Sequence, residues 1–284
     1  MYTRLPVTER TEAYAKIVTH LSMMWYNQKT MEITIKEPIN HTEKIIFGRR
    51  LALSCDPKPA AVWRLLGMTG DGDEGLRAIY ESELAELRAL GEPRALVQAM
   101  CGSDVPAARD RAVFAPGEEF LAVLLSAGAA GSRRVQELFA QGEHLRGLLA
   151  DALLSAWVFA ADEMLRGLLV DWCKENRRGI SGRLEAPGDV PIGTMRLICE
   201  KMEGEARAGV FMSASGMLVP EKSMCYLLAL DGHCGRFAAG PDCGRCGKRD
   251  CGMRRWKNGA GEGAPRERGC HGSNKKSVAD KSRG

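Results

Sequence analysis

The chain has 284 residues, 45% of them hydrophobic and 27% charged, with a formal net charge of +4. This is the composition of an ordinary globular protein, long enough for one large domain or two small ones. The small net charge argues against a nucleic-acid partner. No long apolar run follows the start MYTRLPVTERTEAY, so no secretory leader is expected. The most apolar stretch, residues 148–170, is interrupted by Asp151, Asp162, Glu163 and Arg166. Four charges in that length predict a buried amphipathic helix and no membrane span. The expected location is cytoplasmic.

In chain order, residues 8–25 have the pattern of a helix. Residues 31–53 alternate apolar and polar in MEITIKEP and KIIFG, which predicts two strands and a turn. Pro59 suits the first turn of a helix over 60–68, stopped by Gly67. Residues 76–90 carry apolar side chains at helical spacing among Glu and Arg, a surface helix closed by Gly91 and Pro93. A strand is expected over 94–100, and a buried strand over 120–126, where FLAVLLS is continuously apolar. The small-residue turn AGAAG follows, with Ser132 expected to cap a helix to residue 141. A long helix is expected over 145–174, a loop over 176–182, a helix over 191–202, a strand starting at 210–212 and another over 223–230. The sum is an α+β fold, a mixed or antiparallel sheet flanked by helices.

The ten cysteines, without a leader, argue against a disulfide framework. Cys55, Cys101, Cys173, Cys199 and Cys225 are scattered among apolar residues and read as small buried hydrophobes. Cys234, Cys243, Cys246, Cys251 and Cys270 crowd the last fifth. The run DCGRCGKRDCGMR spaces Cys243, Cys246 and Cys251 as C-x2-C-x4-C, with Cys234 and His233 just upstream. Thiolates at that spacing, on a glycine-rich chain that turns easily, can converge on one metal. The set Cys234, Cys243, Cys246 and Cys251 suits zinc or an iron–sulfur cluster, and the spacing leaves the choice open. From residue 256 the chain is Gly, Lys, Arg and Ser with little apolar content, and a disordered basic tail is expected. The expected organisation is an N-terminal extension over 1–30, a main domain over 31–232, a cysteine-rich metal or cluster segment over 233–255 and the tail over 256–284.

The most informative stretch is residues 180–230. ISGRLEAPGDVPIGTMRLICEKM contains Arg183, Pro187, Gly188, Asp189 and Pro191. FMSASGMLVPEKSMCYLLALDG contains Ser213, Ser215, Met217, Pro220, Lys222 and Ser223. Glycine at 188 permits a backbone turn other residues resist, and lets a ligand come close. Pro187 fixes the approach to it. Arg183 is suited either to a ligand carboxylate or to Glu185 or Asp189 within the chain.

This pattern resembles the activation domain of cobalamin (vitamin B12)-dependent methionine synthase, and more closely the shorter stand-alone bacterial proteins of that family. Weaker likeness extends upstream through AVWRLLGM, LAVLLSAGAAGSRRVQELFAQG and DALLSAWVFAADEML. The resemblance implies that Arg183, Pro187, Gly188 and Asp189 form a loop holding S-adenosylmethionine, with Asp162 or Glu163 of the long helix facing its sulfonium or amino group. Asp189 stands where the family's loop carries tyrosine. The chain has no cobalamin-binding D-x-H-x-x-G segment, so the implied cobalamin is held by a partner, a cobalamin-binding methyltransferase or corrinoid protein. An electron donor such as flavodoxin or ferredoxin is a further implied partner. The implied role is accessory: reductive activation of a cobalamin-dependent methyltransferase of the methionine synthase type. An iron–sulfur centre would deliver an electron there, whereas zinc has no redox chemistry and would be structural. The other reading is a non-catalytic, zinc-stabilised binding module on a degenerate activation-domain fold. No Walker loop, Rossmann fingerprint or G-x-S-x-G element points to another chemistry.

Overall fold

Strand alternation sets the first layer. In RLALS, Leu51 and Leu53 lie on one face and are buried at 1% and 0% exposure. A computed structural model describes residues 32–36, 48, 50–70, 72–105, 114–115 and 117–242, with the backbone alone for 32–36. The expected helix over 8–25, the basic tail, and Cys243, Cys246, Cys251 and Cys270 lie outside the described residues.

The elements are β1 (Glu32–Lys36), β2 (Arg50–Ser54), α1 (Pro59–Leu65), α2 (Glu74–Leu90), β3 (Arg94–Cys101), β4 (Glu119–Ser126), α3 (Ala129–Ala140), α4 (His144–Glu175), β5 (Gly179–Leu184), α5 (Ile192–Lys201), α6 (Gly204–Ala208), β6 (Phe211–Met212), β7 (Leu218–Val219) and β8 (Ser223–Asp231). Six strands form one sheet in the order β1-β2-β3-β4-β8-β5, and β6 and β7 form a small hairpin. The pairs from β2 to β5 are antiparallel, and β1 joins β2 in parallel. The expected α+β class, a mixed sheet flanked by helices, is therefore what the chain forms.

Helices cover both faces of the sheet, which explains why β4 reads as an unbroken apolar run. On one face Leu121, Val123, Leu125, Tyr226 and Leu228 pack under Val158, Ala161, Leu165 and Leu169 of α4. On the other, Phe120, Ala122, Leu124 and Leu227 meet Met195, Ile198 and Cys199 of α5, with Met202 and Val210. The first half of α4 runs on beyond the sheet and gathers α1, α2 and α3 into a third cluster around Trp63, Leu84, Leu138, Leu153 and Trp157. That cluster contains a buried carboxylate: Glu83, at 0% exposure, is bridged by Arg146 of α4 and, at 3.4 Å, by Arg134 of α3.

Three local expectations are corrected. The two N-terminal strands pair in parallel, so no hairpin joins them, and the second lies at Arg50–Ser54, just beyond KIIFG. The helix after the small-residue turn begins at Ala129 and not at Ser132. Gly128, at φ 85°, makes the turn, and the alanines favour helix from the start. The loop expected over 176–182 instead gives way at Gly179 to an edge strand, Gly179–Leu184, paired to β8 with a bulge between Ile180 and Gly182. GISGRL has little strand propensity, and the pairing comes from its partner β8.

The chain after β8 turns back along the outer edge of β5. The amide of Ile180 donates to the carbonyl of Arg236 (2.7 Å), and the amide of Ala238 donates to the carbonyl of Ile180 (2.9 Å). Phe237 packs against the α4 side of the core and Ala239 is buried at 3%. Gly240 lies beside Arg166 of α4. Residues 236–240 thus act as a strap that covers this edge. No described helix is long and apolar enough to cross a membrane.

Candidate functional site

β5 points Arg183 inward, onto the α4 face. Its side chain is 3% exposed. Nη1 donates to both carboxylate oxygens of Asp162 at 3.0 Å, and Nε donates to Oε1 of Glu185 at 2.6 Å. The guanidinium lies 3.6 Å from the ring centroid of Tyr226, a cation–π stack. Arg166, one turn further along α4, donates from Nε to Asp162 Oδ2 at 2.9 Å. Asp162 therefore serves two arginines in a site that excludes water. Burial alone would lower the pKa of Arg183, but Asp162, Tyr226 and Glu185 outweigh it and hold that pKa above its ordinary value. Burial and the neighbouring Asp162 carboxylate push the Tyr226 hydroxyl well up.

Of the two partners open to Arg183 in the sequence, an internal one holds it: Glu185, joined by Asp162. Asp189 turns to the backbone, where its Oδ2 accepts from the Glu185 amide at 3.1 Å and its own amide donates to the Glu185 carbonyl at 2.8 Å. These bonds shape the 185–191 loop, which also contains a cis Ala186–Pro187 bond. Pro187, Gly188 and Asp189 are exposed, while Val190 is buried and Pro191 caps α5.

Gly188 departs from expectation in an informative way. Its φ is not in the left-handed region, and no heavy atom lies within 4 Å of where a Cβ would stand. The fold uses neither its conformational freedom nor its lack of a side chain, so the turn does not account for glycine here. Open backbone facing outward is what remains.

The second matched stretch closes on the same end of α5. Arg196 of α5 donates to the carbonyls of Ser213 (2.7 Å) and Ala214 (3.1 Å). Ser213 Oγ accepts from the Met217 amide at 3.1 Å and is 2.9 Å from Ser215 Oγ. Gly216 abuts Ile192, leaving no room for a side chain. Ile192, Phe211 and Met217 are exposed at 40%, 41% and 62%. Lys222 and Ser223 lie apart from this group: Lys222 bridges to Asp151 (2.8 Å) and Ser155 (2.9 Å) of α4, and Ser223 donates to Ser126 of β4 (2.8 Å).

Glu163 is exposed on α4, whereas Asp162 is buried. The two acids are adjacent in sequence but 100° apart around the helix, so only Asp162 faces the sheet. Tyr226, Arg166 and Arg196 escaped sequence reasoning. Tyr226 sits within the apolar run MCYLLAL, and the two arginines look like surface charges. Of the proposed metal ligands, Cys234 is exposed, just before the strap. Among the described residues no three His, Cys, Asp or Glu side chains converge as a metal set.

No protein-family model matches the chain, and no curated protein matches it. Among solved structures the chain is similar to the MetH reactivation domain bound to AdoHcy, at 14% sequence identity and a TM-score of 0.46, over 65% of this chain and 78% of that one.

Proposed function

We propose that this protein is an accessory factor for reductive activation of a cobalamin-dependent methyltransferase, with the 185–191 loop as its S-adenosylmethionine site. The carrying observation is Gly188: an exposed glycine that neither backbone geometry nor packing requires, in the loop where the sequence pattern implies close approach of a ligand. Two further features support the reading. The 213–217 stretch closes on α5 through Arg196 and the Gly216–Ile192 contact, and α5 begins directly after the 185–191 loop. Beside them Ile192, Phe211 and Met217 give an exposed apolar rim, suited to a cofactor held on another protein.

In this reading Arg183 is a positioning residue. Held by Asp162 and Tyr226, it fixes Glu185, whose backbone is in turn bonded to Asp189. The Gly188 N–H and the exposed Asp189 carboxylate bind and orient the ligand, the carboxylate facing the cationic sulfonium or ammonium end. Bound S-adenosylmethionine supplies the methyl group, and the hard chemistry belongs to it and to the partner's cobalamin. Cys234, Cys243, Cys246 and Cys251 hold a metal or iron–sulfur centre.

Two observations favour a second reading, the non-catalytic zinc-stabilised module. Arg183 is consumed by internal partners, and Asp189 replaces the tyrosine that the resembling family carries. Isolation of the full chain without oxygen separates the two. The activator reading expects iron with sulfide and a copurifying partner that shows cobalamin absorption. Stoichiometric zinc with no cobalamin protein would establish the module instead.

A further inference from the structure

The α5 face of the sheet contains a group of sulfur atoms that the proposed function does not use. Met195 and Cys199 stand one helical turn apart on α5, on the same side, at 1% and 3% exposure. Cys225 of β8 faces them across the layer, its Sγ 3.9 Å from the thioether sulfur of Met195. The Cys199 thiol lies 3.6 Å from the carbonyl of Val210. The surroundings are apolar: Leu124, Leu227, Met202 and Val210. Burial pushes the Cys225 thiol up to about 12, with the neighbouring Cys199 adding to it, and burial also raises Cys199.

We propose that Cys199, Cys225 and Met195 form a binding site for a soft monovalent metal ion of the Cu(I) or Ag(I) type. Two thiols and a thioether are the donor set such ions select, and a hard cation finds no oxygen cage here. The dry, apolar wall keeps water from competing and favours a site of zero net charge. The balance is therefore one ion in and one proton out: one thiol becomes a thiolate and cancels the ion's charge, while the other thiol and the thioether complete the coordination. As individual residues the three would pass for small hydrophobes; their convergence from two elements is what distinguishes them. This inference goes beyond the proposed function and does not depend on it.

The test is an anaerobic titration of the full chain with silver nitrate, in a background where Cys234, Cys243, Cys246, Cys251 and Cys270 are changed to Ser. One equivalent should raise the thermal unfolding midpoint and release one proton. Met195→Leu conserves volume and should weaken apparent affinity at least tenfold, while Cys199→Ala and Cys225→Ala should remove the midpoint shift. If the cysteine variants fail to fold, Met195→Leu decides. No shift in the background chain, an unchanged affinity in Met195→Leu, or a shift persisting in both folded cysteine variants would overturn the proposal.

Discussion

The guanidinium of Arg183 holds both oxygens of Asp162 at 3.0 Å, with the two side chains 3% and 5% exposed. This pair joins the edge strand β5 to the long helix α4, and Arg166 and Tyr226 complete its surroundings. It is the polar joint in an otherwise apolar layer. Removing one partner of a buried pair strands a charge and costs about 3–5 kcal/mol, whereas replacing both with apolar groups is often neutral. Asp162→Ala should therefore destabilise the protein by about that amount in urea unfolding. Asp162→Leu combined with Arg183→Met should recover most of the loss.

Gly188 is required by neither φ nor space. Gly188→Ala should leave unfolding free energy within about 0.5 kcal/mol of the parent, as for an ordinary surface change. A loss well above that in denaturant unfolding would mean that the loop needs glycine for its own conformation.

Alkaline pH should unfold the protein early. Burial raises the thiols of Cys55 and Cys225 to about 12 and of Cys173 to about 11, from an ordinary value of 9.0, and raises the Tyr226 hydroxyl well above its ordinary value. Between the two values the unfolded chain has released protons that the folded chain still holds. Stability from these groups is thus complete below about pH 9 and lost progressively above it. Urea midpoints should fall steadily from pH 8.5 to pH 10.5, and a flat profile would contradict the burial of these groups.

The strap over 236–240 depends on a bare backbone at Gly179. A Cβ there would meet the His233 carbonyl and the Asp231 carboxylate. Gly179→Ala should speed hydrogen exchange at Ile180 and Ala238, the two amides that bond strap to strand, while the amides of β4 remain protected.

The elements legible in the sequence were those with a strong period of their own. The α2 and α4 helices and strands β3, β4 and β8 fall within a few residues of expectation, because apolar spacing alone defines them. β5 was missed because GISGRL carries no such signal and is a strand only by virtue of β8. Pairing direction at β1 was not legible, since alternation marks a strand without saying which way its neighbour runs. At the candidate site, the loop over 187–189 was legible from Pro187 and Gly188, but the ordinary φ that Gly188 adopts was not. The fate of Arg183 was not: whether an arginine faces a ligand or a buried aspartate 21 residues away depends on how α4 packs on the sheet. Tyr226 was hidden by its apolar neighbours, and only the packed layer places the Arg183 guanidinium on its ring.

The central claim is that the Gly188 loop binds a methyl donor, and a calorimetric titration of S-adenosylmethionine into the full chain tests it most directly. The parent and Gly188→Ala should bind one equivalent, and Gly188→Phe, as stable as the parent but with its open backbone covered, should lose at least tenfold in affinity. Absence of binding by the parent at millimolar ligand, or equal binding by Gly188→Phe, would contradict the claim.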